Sequence, residues 1–328
     1  MLSDPPTKPA LIVLKEKLSE MPSYFDKDQR CIYVDYPLHT NVGDLLINSG
    51  CEQFFQENNV KIWRRYNYYD FPARVPGITS KDVFLLHGGG NFGDLWFHFQ
   101  SFRERIMAMY PQNRIIFLPQ TVHFSSEEKV AASVRRMNEH RNYHVFVRDC
   151  RSLELLQRHG VHSVSAMPDT AHALAGVLQP HGEARASTVL RLVREDIESS
   201  SMPPHIANIE GDTYDWDAGV FSPARRMVHH SVVTLVKGIG RYGPPIDCHP
   251  LWYWHRDHLI ADGVRLFSRY ETVVTNRLHA IILGLLLDRS VIAFDNSYGK
   301  LSMYYQSWLT GMGSLDFQQQ EATYAVAQ

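Results

Sequence analysis

TVVTNRLHAIILGLLL, residues 272–287, reads as a buried strand that turns through Asn-Arg-Leu-His into a buried helix. Val273, Val274 and Thr275 are β-branched, and the run from Ala280 to Leu287 is apolar on every face, so neither element has a side to show to water. A fully buried strand followed at once by a helix is the building unit of a parallel sheet. In the turn, Asn276 is expected to cap the helix, its short side chain accepting from first-turn amides. Arg277, Leu278 and His279 then stand at the positive end of the helix dipole, where an anion is attracted. An always-charged fork beside a group that titrates near neutrality suits a substrate that carries phosphate or carboxylate and needs a proton moved. The plainer reading, an Arg paired with an Asp beside a core His, is the weaker one, since a buried Arg without an anionic ligand is costly.

The alternation recurs outward from this turn. CIYVDY (31–36), VKIWRR (60–65), DVFLLH (82–87), RIIFLP (114–119), YHVFV (143–147) and VHSVSAM (161–167) read as strands, separated by helices near 45–57, up to 109, 126–140 and from Ser152. QPHGEARAS (179–187) has linker composition, and beyond it TVLRLV, helices near 222–237 and 250–270, TVVT, the apolar helix and SVIAFD repeat the pattern. The expected fold is α/β, with two Rossmann-like domains, 1–182 and 183–328, facing across a cleft. A last helix near 300–309 is placed to dock back on the first domain. Ligands of open parallel sheets bind beyond the carboxyl ends of the strands, and the polar motifs of this chain fall there. HTNVGD supplies Asn41, Gly43 and Asp44, and HGGGNFGD supplies Gly88, Gly89, Gly90, Asn91 and Asp94. Three consecutive glycines are conformationally costly, and a ligand pressing on the backbone would explain them. They match neither a Walker loop nor GxGxxG, so neither a nucleoside triphosphate nor NAD is inferred. Gln120 (LPQT), Arg148 (FVRD), Asp169 (MPDT) and Arg194 (LVRED) lie at further strand exits; Arg148 and Arg277 converging would hold a doubly charged anion.

Composition narrows the function. The 328 residues carry 33 basic and 35 acidic side chains, a formal −2, so no basic footprint for nucleic acid or a membrane surface is present. Four scattered cysteines give neither a disulfide framework nor a zinc ribbon, and reduced thiols in a cytoplasmic protein are expected. The longest apolar run, Ala280–Leu287, is far short of the roughly 20 residues that span a bilayer. CHPLWYWHRDH (248–258) offers Cys248, His249, His255 and His258, but on an aromatic amphipathic helix and without zinc spacing, so no metal is expected.

Taken in order, NVGDLLINSG (41–50), HGGGNFGDLW (87–96), LPQT, FVRDCRS, MPDTA, LVRED, VVTNRLHAIILGLLL and FDNSYGK (294–300) resemble the polysaccharide pyruvyltransferase family, over about residues 35–308. The exopolysaccharide-pyruvylating branch is the most similar. The resemblance implies a two-domain architecture like the B-type glycosyltransferases, phosphoenolpyruvate as donor substrate with no further cofactor, and a sugar diol as acceptor, in an exopolysaccharide or its lipid-linked repeat unit. Arg148, Arg277, Leu278 and His279 fall on its donor-binding and catalytic positions. Lipid-linked acceptors would bring transient contact with the inner face of the cytoplasmic membrane. The chemistry agrees with the residues: His279 as general acid and base, Arg148 and Arg277 on phosphate and carboxylate, and Asp44 or Asp94 taking the acceptor's proton. Two other readings compete, a nucleotide-sugar glycosyltransferase and a non-catalytic sugar-phosphate binding protein.

Overall fold

The computed structural model describes residues 7–26, 28–193, 202–214, 216, 220–242, 247–295 and 299–318. Its strands form two sheets that are parallel throughout. The first contains β1 (Cys31–Val34), β2 (Ile62–Tyr66), β3 (Val83–Leu86), β4 (Gly89–Gly93), β5 (Arg114–His123), β6 (Tyr143–Val147) and β7 (Val164–Ala166), ordered β2-β1-β3-β5-β6-β7 with β4 also on β5. The second contains β8 (Arg185–Leu192), β9 (Asp212–Tyr214), β10 (Tyr270–Thr275), β11 (Ser290–Phe294) and β12 (Leu315–Gln318), ordered β12-β11-β10-β8-β9. Strand order reverses direction in both sheets, and this parallel α/β build is the one the alternation of apolar runs called for.

Helices cover the sheets: α1 (Thr7–Leu18), α2 (Val42–Glu57), α3 (Phe97–Met109), α4 (Glu127–Asn138), α5 (Cys150–Arg158), the short α6 (Pro204–Ala207), α7 (Pro223–Tyr242), α8 (His249–Ser268), α9 (Leu278–Leu286) and α10 (Lys300–Tyr304). On one side of the first sheet, Phe84, Ile115, Phe117 and Val145 pack with Phe102 and Ile106 of α3 and Val130 and Val134 of α4. On the other, a single cluster runs from Leu11 and Leu14 of α1 through Leu45, Leu46 and Phe54 of α2 to Leu259 of α8, Ile281 and Leu285 of α9 and Val273 of β10. α2 therefore joins the two sheets through one continuous apolar core.

Three stretches of the chain differ from expectation. The glycine segment is not a loop: Gly89–Gly93 continues the line of β3 and pairs with the far half of β5, which runs to His123 instead of ending at Pro119. Pro119 lacks a donor, and the β5–β6 register shifts there, between Phe117 and Gln120, so the strand continues past its proline as an irregularity. α6 and β9 lie between TVLRLV and the helix expected near 222, where no element was expected, each too short to show a period. LDFQ, beyond the last helix expected from sequence, adds β12 beside β11.

Candidate active site

A cavity of about 560 Å³ opens beyond the carboxyl ends of β1, β3, β6 and β10. Its wall includes Asn41, Asp44, Gly88, Gly90, Asn91, Arg148, Asn276, Arg277, Leu278 and His279 of the residues the sequence singled out.

Arg148 is placed by four contacts. Its amide donates to the Gln120 carbonyl at 2.9 Å and its carbonyl accepts from Trp308 Nε1 at 2.8 Å, which fixes the backbone. Nε donates to Thr121 Oγ1 at 2.8 Å, and Nη1 to the carboxylate of Asp169. The neighbouring Asp149 takes no part, because its Oδ1 accepts from Ser152 N at 2.7 Å and caps α5. Asp169 is fully buried; its Oδ1 accepts from Ala171 N at 2.9 Å, and its amide donates to Tyr304 Oη at 3.0 Å. Burial works to raise its pKa, but the His279 imidazole and the Arg148 guanidinium outweigh that and hold it well below the usual carboxylate range.

His279 completes this cluster. Its Nε2 lies 3.3 Å from Asp169 Oδ2 and 3.5 Å from Arg148 Nη1. A proton on Nε2 is thus directed at the carboxylate, which also offsets the charge of the adjacent guanidinium. The opposite edge of the ring meets α2: a Cβ at Gly43 would stand 2.7 Å from His279 Nδ1 and 2.9 Å from its Cβ. Only glycine leaves room for the imidazole there, so Gly43 acts by shaping the wall rather than lining the cavity. Asn41 caps α2 by accepting from Gly43 N at 3.0 Å, and its Nδ2 donates to Asp44 Oδ2 at 3.1 Å, so Asp44 stands at the helix start with His39 Nε2 3.6 Å away.

The cap of α9 departs from expectation. Asn276 is wholly buried, Arg277 occupies the cap position with φ −114°, and no side chain caps the helix. The turn is fixed one residue earlier: Thr275 Oγ1 accepts from Arg277 N at 3.1 Å and donates to the Leu192 carbonyl at 2.6 Å.

Other expectations are corrected by position. Asp94 is drawn off the cavity wall, accepting from Ser125 N at 2.8 Å and Lys129 Nζ at 2.7 Å; burial opposes ionisation, yet these partners hold its pKa down at about 2. Gln120 is wholly buried and donates to the His87 carbonyl, so it braces the strand ends. Asp169 lies behind Arg148 and His279 instead of on the cavity surface. The three glycines answer chiefly to the protein itself: a Cβ at Gly88 would come within 2.8 Å of the Pro119 carbonyl, and Gly89 has φ +114°. Gly90 faces a site group most closely, with Arg148 Nη2 3.3 Å from where its Cβ would be, and a Cβ at Gly89 would stand 3.9 Å from Asp44 Oδ1. Arg194 lies outside the described residues.

Sequence reading passed over Asp35, His87 and Arg103. Asp35 borders the cavity at the end of β1, with Arg103 Nη2 3.7 Å from its Oδ2. Arg103 is buried and donates to the carbonyl of Asn91 at 2.9 Å and to its side-chain oxygen, which makes Asn91 a clamp on α3. His87 Nδ1 is 2.6 Å from Tyr33 Oη, and burial lowers its pKa to about 3, so the ring is neutral. Tyr36, Tyr68, Tyr69, Trp96 and Phe99 add an aromatic wall, and Lys237 Nζ stands 4.1 Å over the Tyr69 ring. Among the described residues no group of His, Cys, Asp and Glu is arranged to hold a metal ion, and no helix is long and apolar enough to cross a membrane.

Residues 41–298 match the family model for polysaccharide pyruvyl transferase. The chain is 34% identical over 309 residues to EpsO of Bacillus subtilis (strain 168), named there as a candidate pyruvyl transferase, covering 94% of each. It is 25% identical over 306 residues to pyruvyl transferase 1 of Schizosaccharomyces pombe (strain 972), covering 88% of this chain and 72% of that one. In fold it is similar to a functionally uncharacterised protein of Klebsiella pneumoniae, with TM-score 0.59 and 16% identity over 93% of this chain and 98% of that one.

Proposed function

Because the chain belongs to the polysaccharide pyruvyl transferase family, we propose that it moves the enolpyruvyl group of phosphoenolpyruvate onto two hydroxyls of a sugar, forming a pyruvate ketal. The acceptor in this reading is an exopolysaccharide or its lipid-linked repeat unit, met at the inner face of the cytoplasmic membrane. Residues 1–182 and 183–328 serve as two lobes of B-type glycosyltransferase character, each giving one side of the site. The observation that carries the reading is the meeting of Arg148, Asp169 and His279 beside Arg277, at a helix start that no side chain caps.

Each part has a chemical task. The amides at the start of α9 and the two guanidinium groups hold the donor's phosphate and carboxylate. The imidazole, oriented by the Asp169 carboxylate, delivers a proton to the methylene carbon, and the oxocarbenium-like centre that results is open to a hydroxyl. The guanidinium groups then offset charge on the departing phosphate. Nothing in this sequence of steps calls for a metal or a cofactor other than the donor.

The test is incubation with phosphoenolpyruvate and a panel of oligosaccharide acceptors, read by mass spectrometry and phosphate release. A gain of one pyruvate less one water, matched by one phosphate, is expected, and His279→Ala is expected to lower the rate by about 10³-fold while the fold is kept. Protection from proteolysis by nucleotide sugars and not by phosphoenolpyruvate would move the protein to the glycosyltransferases. A His279→Ala variant that still complements in the cell would make it a binding protein.

A further inference from the structure

Asp35 is the first residue after β1, and it is held in a way the fold alone does not explain. Its backbone is left-handed, φ +73°, in a residue that is not glycine, at a strand end where the amide is fixed by a 2.8 Å bond to the Tyr66 carbonyl. The side chain is 4% exposed and borders the same cavity as Arg148, Arg277 and His279. Among the described residues Oδ2 has no hydrogen-bond partner, since Arg103 stops 3.7 Å away with its fork turned to Asn91. A strained backbone and a poorly partnered buried carboxylate both cost stability, and such costs gather where a group has chemical work.

The geometry points to Asp35 as the base that takes the proton of the acceptor's first hydroxyl. This rests on the reading of the protein as a ketal-forming, phosphoenolpyruvate-dependent transferase. That reaction needs two proton-handling groups. In the first step the donor's C2–C3 π pair takes a proton at C3 from the His279 imidazolium, the first acceptor oxygen bonds to C2, and its proton passes to the Asp35 carboxylate. In the second, the bond from C2 to the phosphate oxygen breaks, with its electron pair leaving on phosphate. The second hydroxyl oxygen bonds to C2, and its proton restores the imidazolium. The proton on Asp35 goes to the released phosphate, so both groups return to their starting states. Asp94, the other carboxylate considered for this task, is committed to Ser125 and Lys129, and Asp44 shares its charge with Asn41 and His39.

Burial raises the Asp35 pKa to about 7 against the pull of Arg103, so the base form is gained near neutrality. Arg103 on α3 is the charged group against it; His87 at the end of β3, Asp44 on α2, His39, Arg148 and Lys237 share the cavity.

The experiment is steady-state pyruvyl transfer from phosphoenolpyruvate by the full chain and by Asp35→Asn, chosen because asparagine tolerates the left-handed backbone. The turnover of Asp35→Asn is expected to fall at least 100-fold, with acceptor KM and donor affinity within threefold, and the limb of the pH profile that rises through about pH 7 is expected to vanish. Asp35→Gly, which relaxes the backbone, is expected to regain at least tenfold with added formate. Turnover of Asp35→Asn within threefold of the parent, or no formate effect on Asp35→Gly, overturns the assignment alone. A parent chain that does not use phosphoenolpyruvate overturns the reading beneath it.

Discussion

Two strand exits, after β6 and after β10, bring arginines to the same cavity by opposite means. After β6 the chain is fully committed: Asp149 caps α5, while Arg148 is bonded at its amide, its carbonyl, Nε and Nη1. After β10 the helix start is left without a side-chain cap, and order comes from Thr275, behind the turn. The first exit is a built charge pair, whose arginine is already neutralised by Asp169. The second leaves the first amides of α9 without a side-chain cap. Arg148 is thus tied into the fold at four atoms, while the start of α9 is ordered from Thr275.

This contrast is easiest to break at the arginines themselves. Arg148→Ala is expected to abolish transfer and also to lower stability in urea by about 3 kcal/mol, because it leaves the buried Asp169 poorly compensated. Arg277→Lys is expected to cost at least 100-fold in transfer, since a point charge does not reproduce the fork, with stability changed by less than about 1 kcal/mol. Equal stability losses would erase the distinction. Gly43→Ala tests the contact that joins α2 to the second exit. The added methyl displaces the imidazole, and transfer is expected to drop about 100-fold with little change in donor affinity. Acid titration sharpens the account of the ground beneath the first exit. His172, whose Nε2 is 2.9 Å from Tyr304 Oη, has its pKa lowered to about 4 by burial. Below the unfolded value of about 6.5 the unfolded chain takes up a proton that the folded one refuses. Stability is therefore expected to be full above that pH and to be lost as pH falls toward 4, and His172→Asn should flatten this part of a melting-temperature series. The smallest effect is expected from Asp149→Ala, about 1 kcal/mol by urea unfolding, as a lost cap.

The parallel α/β build was legible because buried strands and helices write it in periods: YHVFV forms β6 with the bounds read from sequence, and the apolar run forms α9. Arg148, Arg277 and His279, singled out because they follow such strands closely, line one cavity. What escaped depends on geometry that a linear pattern does not carry. Asn276 is an apt cap by composition, yet the cap position falls on Arg277. GGG signals close approach, but the approaching atom is the Pro119 carbonyl of the next strand. Asp94 sits in a motif and points to Lys129. Asp35, in an ordinary-looking VDYP, gave no signal in residue type; its left-handed backbone and its burial are what single it out.

The contacts that residues 304–308 make with the first sheet have a consequence for how the protein is made. Tyr304 holds the amide of Asp169, and Trp308 holds the carbonyl of Arg148. On the ribosome, both must wait until more than 130 further residues have followed Asp169 out of the exit tunnel. A chain cut short before Tyr304 would keep Arg148 and Asp169 in sequence but lack the clamps that aim them, so the build of the cavity wall is decided late in synthesis.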